Sequence, residues 1–300
     1  MERFFSTKNA IDRVYHGVAC RVGSKAPYLY QPCKLAKMTV SAHFDESGKF
    51  KDHDVISIGC VGGFAERFGN GFINEWGKLL NAYGLKAISG KAILNYNKPL
   101  STKNPCIGLQ DRMACLLSFI SCIRKHVQVV TGLAVDAKEF KRLPSYFFKV
   151  FGMNPSFMAF ARSAMYITEF TPNDDKITLI CDDDEETAWE FYRLYRRVKK
   201  VWPDARKKFG GIAFVDDRYL FGVQASDLIA SVMRLEANLQ LNNAKYDYGP
   251  AFQALIAQPE KHEPWLWQVA ISIARKETLI ATAESIKEHY EKVLREDPGG

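Results

Sequence analysis

Short apolar runs along the chain predict strands that are separated by helices. Residues 38–45 alternate between apolar and polar side chains, and residues 54–64 form a second apolar run after a short polar turn, so together they predict a β-hairpin. Further strands are predicted at 85–94, 127–135, 176–181 and 211–215.

Between these runs the apolar residues recur every three or four positions, which predicts helices. The predicted helices are 66–83, 109–126, 186–202, one that begins near Gln224, and 268–296. The span 137–170 contains Pro144, Pro155 and many aromatic residues, and it predicts a helical insertion. Strands that alternate with helices predict an α/β protein with a mixed β-sheet flanked by helices.

The length of 300 residues and the 47% hydrophobic content allow one large core with appendages. Residues 1–37 hold seven Lys or Arg against two acids and predict a basic N-terminal arm. Residues 38–240 form the predicted main domain, and residues 241–300 a C-terminal helical extension. That extension could dock on the core or form a homo-oligomer.

Composition excludes several classes of function. The seven cysteines contain no C-x-x-C pair and the six histidines no H-x-x-x-H pair, so a disulfide framework and a zinc hydrolase are poorly supported. No phosphate-binding loop motif and no apolar run long enough to span a membrane occurs. We therefore expect a cytoplasmic protein with no membrane partner, and the net charge of +7 permits nucleic acid as a partner.

Acidic residues end predicted strands or lie on a predicted helix at three distant places. They are Asp45 and Glu46, the cluster that begins at Asp182, and Asp227. Carboxylates gathered from distant segments repel one another unless a cation lies between them, and divalent metals prefer oxygen ligands. The pattern predicts a metal-dependent phosphodiester hydrolase.

Two of these phrases resemble a known family. Asp45-Glu46-Ser47-Gly48, together with Phe214-Val215-Asp216-Asp217 and the later Gln224-Ala225-Ser226-Asp227-Leu228, is similar to the bacterial domain-of-unknown-function family 3800. The resemblance covers about residues 38–240 and implies an RNase H-like fold and a role in conflict with mobile elements. It implies acidic site positions at Asp45 and Asp227, with Asp182 matching the aspartate at a strand end. Ser226 replaces the usual alanine, and the Glu or His that the family often carries near 85–94 is absent.

A site of this kind would use two Mg²⁺ or Mn²⁺ ions, which activate water and stabilise the leaving oxygen. Asp45, Asp182 and Asp227 are the candidate catalytic and metal-binding residues, with Asp45 as the bridge. Glu46 is a further candidate ligand, or it points to the opposite face of its strand, because neighbours on a strand alternate sides.

Each acid also has a simpler explanation. The acids from Asp182 onward precede a helix and could stabilise its positive end, and Asp227 could lie on a solvated helix face. Asp45 could be a turn residue. Asp136 also ends a predicted strand and is a rival second acid, although Lys138 and Glu139 follow it as they would follow a helix cap.

The helix 187–202 carries an apolar stripe and a basic stripe at the same period, and eight bases lie between residues 193 and 208 against the single acid Asp204. This segment follows directly from a strand that is predicted to bind metal, where a phosphate backbone would lie. The candidate nucleic-acid contacts are Arg193, Arg196, Arg197, Lys200, Lys207 and Lys208.

The sequence thus predicts a divalent-metal-dependent nuclease that acts on DNA or RNA. The alternative is a non-catalytic nucleic-acid-binding protein on a degenerate RNase H-like fold, because no acid or histidine occurs within 85–94.

Overall fold

A computed structural model gives the positions of most of the main domain. The described residues are 39–49, 52–65, 68–94, 98–101, 108–184, 187–242, 249–257, 268–282 and 284. The predicted basic arm, residues 1–37, lies outside the described residues, as do the last sixteen positions of the predicted C-terminal extension.

The centre of the molecule is a six-stranded sheet in the order β5-β4-β1-β2-β3-β6. The strands are β1 (Thr39–Ser47), β2 (Val55–Phe64), β3 (Val129–Asp136), β4 (Lys176–Asp182), β5 (Phe209–Val215) and β6 (Gln268–Ala274). Strand β2 runs antiparallel to β1 and β3, whereas β4 and β5 run parallel to β1. The carboxyl ends of β1, β4 and β5 therefore meet at one edge of the sheet.

Helices cover both faces of this sheet. They are α1 (Ile73–Ala82, preceded by a π turn at Phe68–Phe72), α2 (Gly90–Leu94), α3 (Leu109–His126), α4 (Ala137–Phe140), α5 (Ser145–Phe151), α6 (Pro155–Phe170), α7 (Ala188–Val201), α8 (Pro203–Lys208), α9 (Phe221–Asn242) and α10 (Gly249–Ile256). One apolar core joins the sheet to α6 and α7, and a second joins it to α1, α3 and α9. Burial on both faces accounts for the nearly continuous apolar strands.

The predicted fold class is confirmed. The structure is an α/β fold with a mixed sheet flanked by helices, in which an antiparallel β1-β2-β3 meander has two parallel strands beside β1. The predicted helical insertion is α4, α5 and α6. No helix in the described part of the chain is long and apolar enough to cross a membrane.

Two predicted elements are wrong. Residues 85–94 do not form a strand: the chain turns and then forms the short helix α2, where Gly90 packs so closely on Ser231 that an added Cβ would lie 1.8 Å from its hydroxyl oxygen. Residues 268–274 are not helical but form β6, parallel to β3, and helix follows only from residue 276. A short apolar run does not distinguish a buried strand from a helix by its period alone.

Helix α9 lies in direct backbone contact with the sheet, at Gly59 in the middle of β2. A Cβ placed on Gly59 would lie 2.4 Å from both the Ser226 oxygen and the Ala230 nitrogen of α9. Hydrogen bonds from the Ser57 hydroxyl to the Ala230 carbonyl (2.7 Å) and from the Ser226 hydroxyl to the His43 carbonyl (2.6 Å) hold the same contact. The absence of a side chain at Gly59 therefore sets the distance between α9 and the sheet.

Replacing Gly59 with alanine should force α9 away from β2, since the atoms in its path belong to backbone. We expect the free energy of unfolding of Gly59→Ala to fall by about 1–3 kcal/mol, as for other overpacked cores, measured by chemical denaturation. Gly211→Ala is the matched control, because an added Cβ there meets nothing within 4 Å. Equal stability of the two variants would contradict this account of the contact.

Candidate metal centre

Asp45 and Asp182 lie side by side at the carboxyl ends of two adjacent parallel strands. Phe44 of β1 pairs with Cys181 of β4, so the next residue on each strand is Asp45 or Asp182. Residues at the same level of parallel strands point to the same face of a sheet. Both side chains are half-buried.

Asp227 reaches the same edge from above the sheet, because the contact at Gly59 places α9 over β1 and β2. One of its carboxylate oxygens accepts a hydrogen bond from the Gly90 backbone N–H at 2.8 Å, and the other accepts from the Ser231 hydroxyl at 3.3 Å. The segment 85–94, which does not form the predicted strand, therefore supplies a backbone donor to Asp227.

Asp217 is a fourth acid at this edge, and sequence reasoning did not name it as a site residue. It begins a short 3-10 turn between β5 and α9, and its charge acts on both Asp182 and Asp227. The neighbouring Asp216 is instead paired with Arg218, and its carboxylate caps the turn. The signal for Asp217 was present, since two aspartates follow an apolar strand, but only the fold shows which one faces the site.

Gln224, one turn before Asp227 on α9, fixes the loop that carries Asp217. The Gln224 side chain is buried, its amide nitrogen donates to the Asp217 carbonyl (3.0 Å), and its amide oxygen accepts from the Trp76 indole N–H (3.1 Å). Each end of the amide thus has a partner. The glutamine of the motif holds the turn of Asp217 to the α1 layer.

The electrostatics of the four aspartates show mutual repulsion. Burial, followed by the charges of Asp227 and Asp182, raises the pKa of Asp45 well above its usual range. Burial raises the pKa of Asp182 to about 6, with the Asp217 charge as the next cause. Burial likewise raises the pKa of Asp227 to about 6, although the Gly90 N–H and the Ser231 hydroxyl oppose the shift. The folded chain concentrates negative charge here without neutralising it.

A guanidinium approaches the centre from α9 but bonds to it only indirectly. The Arg234 Nε donates to the Ser47 hydroxyl (2.9 Å), which lies 3.2 Å from the Ser231 hydroxyl, which in turn donates to Asp227. Burial lowers the pKa of Arg234, while the Asp227 charge opposes the shift. One cation linked through two hydroxyls does not balance four carboxylates.

Glu46 lies on the other face of β1, towards the start of α6. Burial raises its pKa, and a hydrogen bond with Ser156 opposes the shift. It lines a small cavity of about 30 Å³ below the ends of β1 and β4, together with Asp45, Asp182 and Asp184. Glu46 is therefore separated from Asp227 by the strand itself, while it shares this cavity with Asp182.

The rival acid Asp136 is a helix cap. Its carboxylate accepts the backbone N–H groups of Lys138 (2.8 Å) and Glu139 (3.1 Å) at the start of α4. Asp184 lies 3.9 Å from the Lys49 ammonium. Asp136 and Asp184 thus have roles outside the group of four aspartates at the sheet edge.

The basic segment divides into surface residues and one buried lysine. The side chains of Arg193, Arg196, Arg197, Lys200 and Lys207 are exposed. The prediction for Lys208 is corrected: this residue is buried, and its ammonium donates to the carbonyls of Thr168 and Thr171 at 2.6 Å each. Lys208 satisfies the carboxyl end of α6, so its charge is not available to a phosphate.

The donor set at the sheet edge fits a hard divalent cation, because it consists of carboxylate oxygens with raised pKa values. Its atoms are not drawn together as a single tight shell. Within the described residues, the three potential ligands whose atoms all lie within 4.8 Å of one another are Glu75, Cys122 and His126. In that group Glu75 already accepts from Lys125 (2.6 Å) and is paired with His126 (2.8 Å).

The fold and this edge define an α/β protein with an acidic cluster at the carboxyl ends of its central strands. No protein-family model and no curated protein matches the chain. Among solved structures, the chain is similar to a crystal structure of a point mutant of Bst-RNase HIII, with 15% identity and a TM-score of 0.37. The match covers 76% of this chain and 65% of that one.

The raised pKa values predict how stability depends on pH. Asp182 and Asp227 titrate at about 6 in the folded chain and at about 3.9 when unfolded, so the folded state binds more protons between these values. The free energy of unfolding should therefore fall as pH rises from about 4 to about 7 in EDTA.

Asp45→Asn should relieve this repulsion and raise the melting temperature by about 2–4 °C at neutral pH in EDTA, which corresponds to ~1 kcal/mol. The gain should shrink near pH 4.5, where the carboxyls are protonated. Asp136→Asn is the control, because Asn caps a helix about as well as Asp. A wild-type stability that rises from pH 4 to 7 would contradict the predicted repulsion.

Proposed function

We propose that the protein is a divalent-metal-dependent nuclease that hydrolyses phosphodiester bonds in DNA or RNA. The observation that carries the proposal is the convergence of Asp45, Asp182, Asp217 and Asp227 from four separate segments onto one sheet edge, where their pKa values are raised. A fold does not by itself concentrate like charges in a partly buried place, so the cost implies a cationic ligand.

The chain's own residues would divide the work as follows. Asp45 lies between Asp182 on β4 and Asp227 on α9, and the charges of both act on it, so it is the residue that could bridge two cations. Asp182 and Asp217 would hold one side and Asp227 the other. When bound, Mg²⁺ or Mn²⁺ would lower the pKa of a water molecule and stabilise charge on the leaving oxygen.

We also propose that the chain belongs with the domain-of-unknown-function family 3800. Support comes from the placement of its two motifs, since Ser47 of the first lies 3.2 Å from Ser231, which bonds Asp227 of the second. Gln224, the first residue of the second motif, holds the turn of Asp217. Ser47, Gln224 and Asp227 thus have contacts at the same edge.

The second candidate function, a nucleic-acid-binding protein without catalysis, is favoured by one observation. Both oxygens of Asp227 already accept hydrogen bonds, and Asp45 accepts the backbone N–H of Glu46 at 2.6 Å. These bonds compete with a metal for the same lone pairs.

Cleavage assays separate the two candidates. We expect wild-type protein to cleave labelled DNA or RNA oligonucleotides in Mg²⁺ or Mn²⁺ and to lose the activity in EDTA. Asp45→Asn should reduce the rate by at least ~100-fold, while Asp136→Asn, purified in the same way to control for contaminating nucleases, should retain it. Binding without cleavage in any metal would favour the second candidate.

Asp217 gives an independent test of the proposed ligand set. Asp217→Asn should reduce metal-dependent cleavage by about 10–100-fold and raise the Mn²⁺ concentration needed for half-maximal rate. Asp216→Asn, one residue away and paired with Arg218, should change neither quantity as strongly. The reverse order of the two variants would show that Asp216, not Asp217, serves the site.

A further inference from the structure

The first turn of α7 exposes a large aromatic surface beside the acidic edge. Trp189 is 64% exposed, and its ring stacks on Tyr192 with centroids 5.5 Å apart and planes 26° from parallel. Thr187, which immediately precedes α7, lines the small cavity that also contains Asp45 and Asp182. The helical turn that carries the exposed indole therefore begins beside the cavity below the acidic edge.

The helical period places three basic side chains on the same face of α7 as this indole. Arg193, Arg196 and Lys200 follow Trp189 at intervals of four, seven and eleven residues, and all are exposed. Arg193 is paired with Glu190 (2.9 Å), whereas a guanidinium nitrogen of Arg196 donates to the Tyr192 hydroxyl at 3.3 Å. From Trp189 to Lys200 the helix rises about 16 Å, enough for several nucleotides of one strand.

The far end of this stripe is a shallow groove that is open to solvent and lined by basic residues. Its lining residues are Arg196, Arg197, Lys199, Lys200 and Arg206. None of the lining residues is acidic. Burial lowers the pKa of Lys199, and the charges of Lys176 and Arg196 add to the shift. A groove of this kind is complementary to a phosphate backbone.

Resting on the nuclease function proposed above, we propose that the Trp189 stripe binds single-stranded nucleic acid: an unpaired base stacks on Trp189 and its phosphates follow Arg196 and Lys200 into the basic groove. Along α7, the Trp189–Tyr192 pair lies nearest the acidic edge, and the basic side chains follow it. A base inside a duplex has both faces covered by its neighbours, so a free indole selects a strand whose bases are unpaired. A surface that binds a duplex needs only the basic side chains and would gain nothing from the exposed indole.

The test is the affinity of the full chain for labelled oligonucleotides, measured by fluorescence anisotropy in EDTA, where metal-dependent cleavage does not interfere. Wild type should bind single-stranded DNA or RNA more tightly than the matching duplex. Trp189→Ala should weaken single-strand binding by about 5- to 150-fold, equivalent to ~1–3 kcal/mol per stacked base, and Trp189→Phe should retain most of the affinity. Met153→Ala is the matched control, since Met153 is 63% exposed and lies between α5 and α6.

Lys200→Ala should weaken the binding of single strands and duplexes alike and reduce the salt dependence of binding, because it removes a phosphate contact. An unchanged affinity in Trp189→Ala, or equal losses for duplex and single strand, would overturn the stacking proposal even if cleavage depends on Asp45. Conversely, a Trp189-dependent preference for single strands in a protein that cleaves nothing in any metal would support the stripe and reject the nuclease.

Discussion

The contact between α9 and the bare backbone of β2 is the constraint on which the candidate site depends. Because Gly59 has no side chain, α9 lies against the sheet closely enough for Ser226 to bond the His43 carbonyl and for Asp227 to reach the edge where β1 ends. A thicker contact would leave Asp227 above the sheet and separate its charge from that of Asp45. The acidic centre is therefore a result of helix–sheet packing as much as of the acids themselves.

Most of the fold could be predicted from the sequence, because buried strands and amphipathic helices have distinct periods. The helix at 109–126 has the predicted bounds, and the strands β1 to β5 lie within two residues of theirs. Strand β6 was mistaken for a helix because its apolar run is short and its partner, β3, is more than a hundred residues away along the chain. Pairing over that separation leaves no local signal.

The site was less predictable than the fold. Asp45, Asp182 and Asp227 could be named because each follows or lies on a recognisable element. Asp217 could not be distinguished from Asp216, since the choice depends on Arg218 pairing with one of them and on Gln224 orienting the turn. Lys208 is basic like its neighbours in sequence, yet its ammonium donates to the carbonyls of Thr168 and Thr171. A count of charges does not reveal this tertiary contact.

The single amide of Gln224 has a broader consequence. Asp45, Asp182 and Asp227 belong to regular secondary structure, but Asp217 belongs to a three-residue turn. Its carbonyl is held by that amide, which is bonded on its other side to Trp76, and its backbone N–H bonds Asp182. Three of the four aspartates are thus positioned by a strand or a helix, whereas the position of the fourth depends on a side-chain amide. Exchange of side chains around Trp76 would therefore shift the Asp217 turn relative to the other three aspartates without replacing any acidic residue.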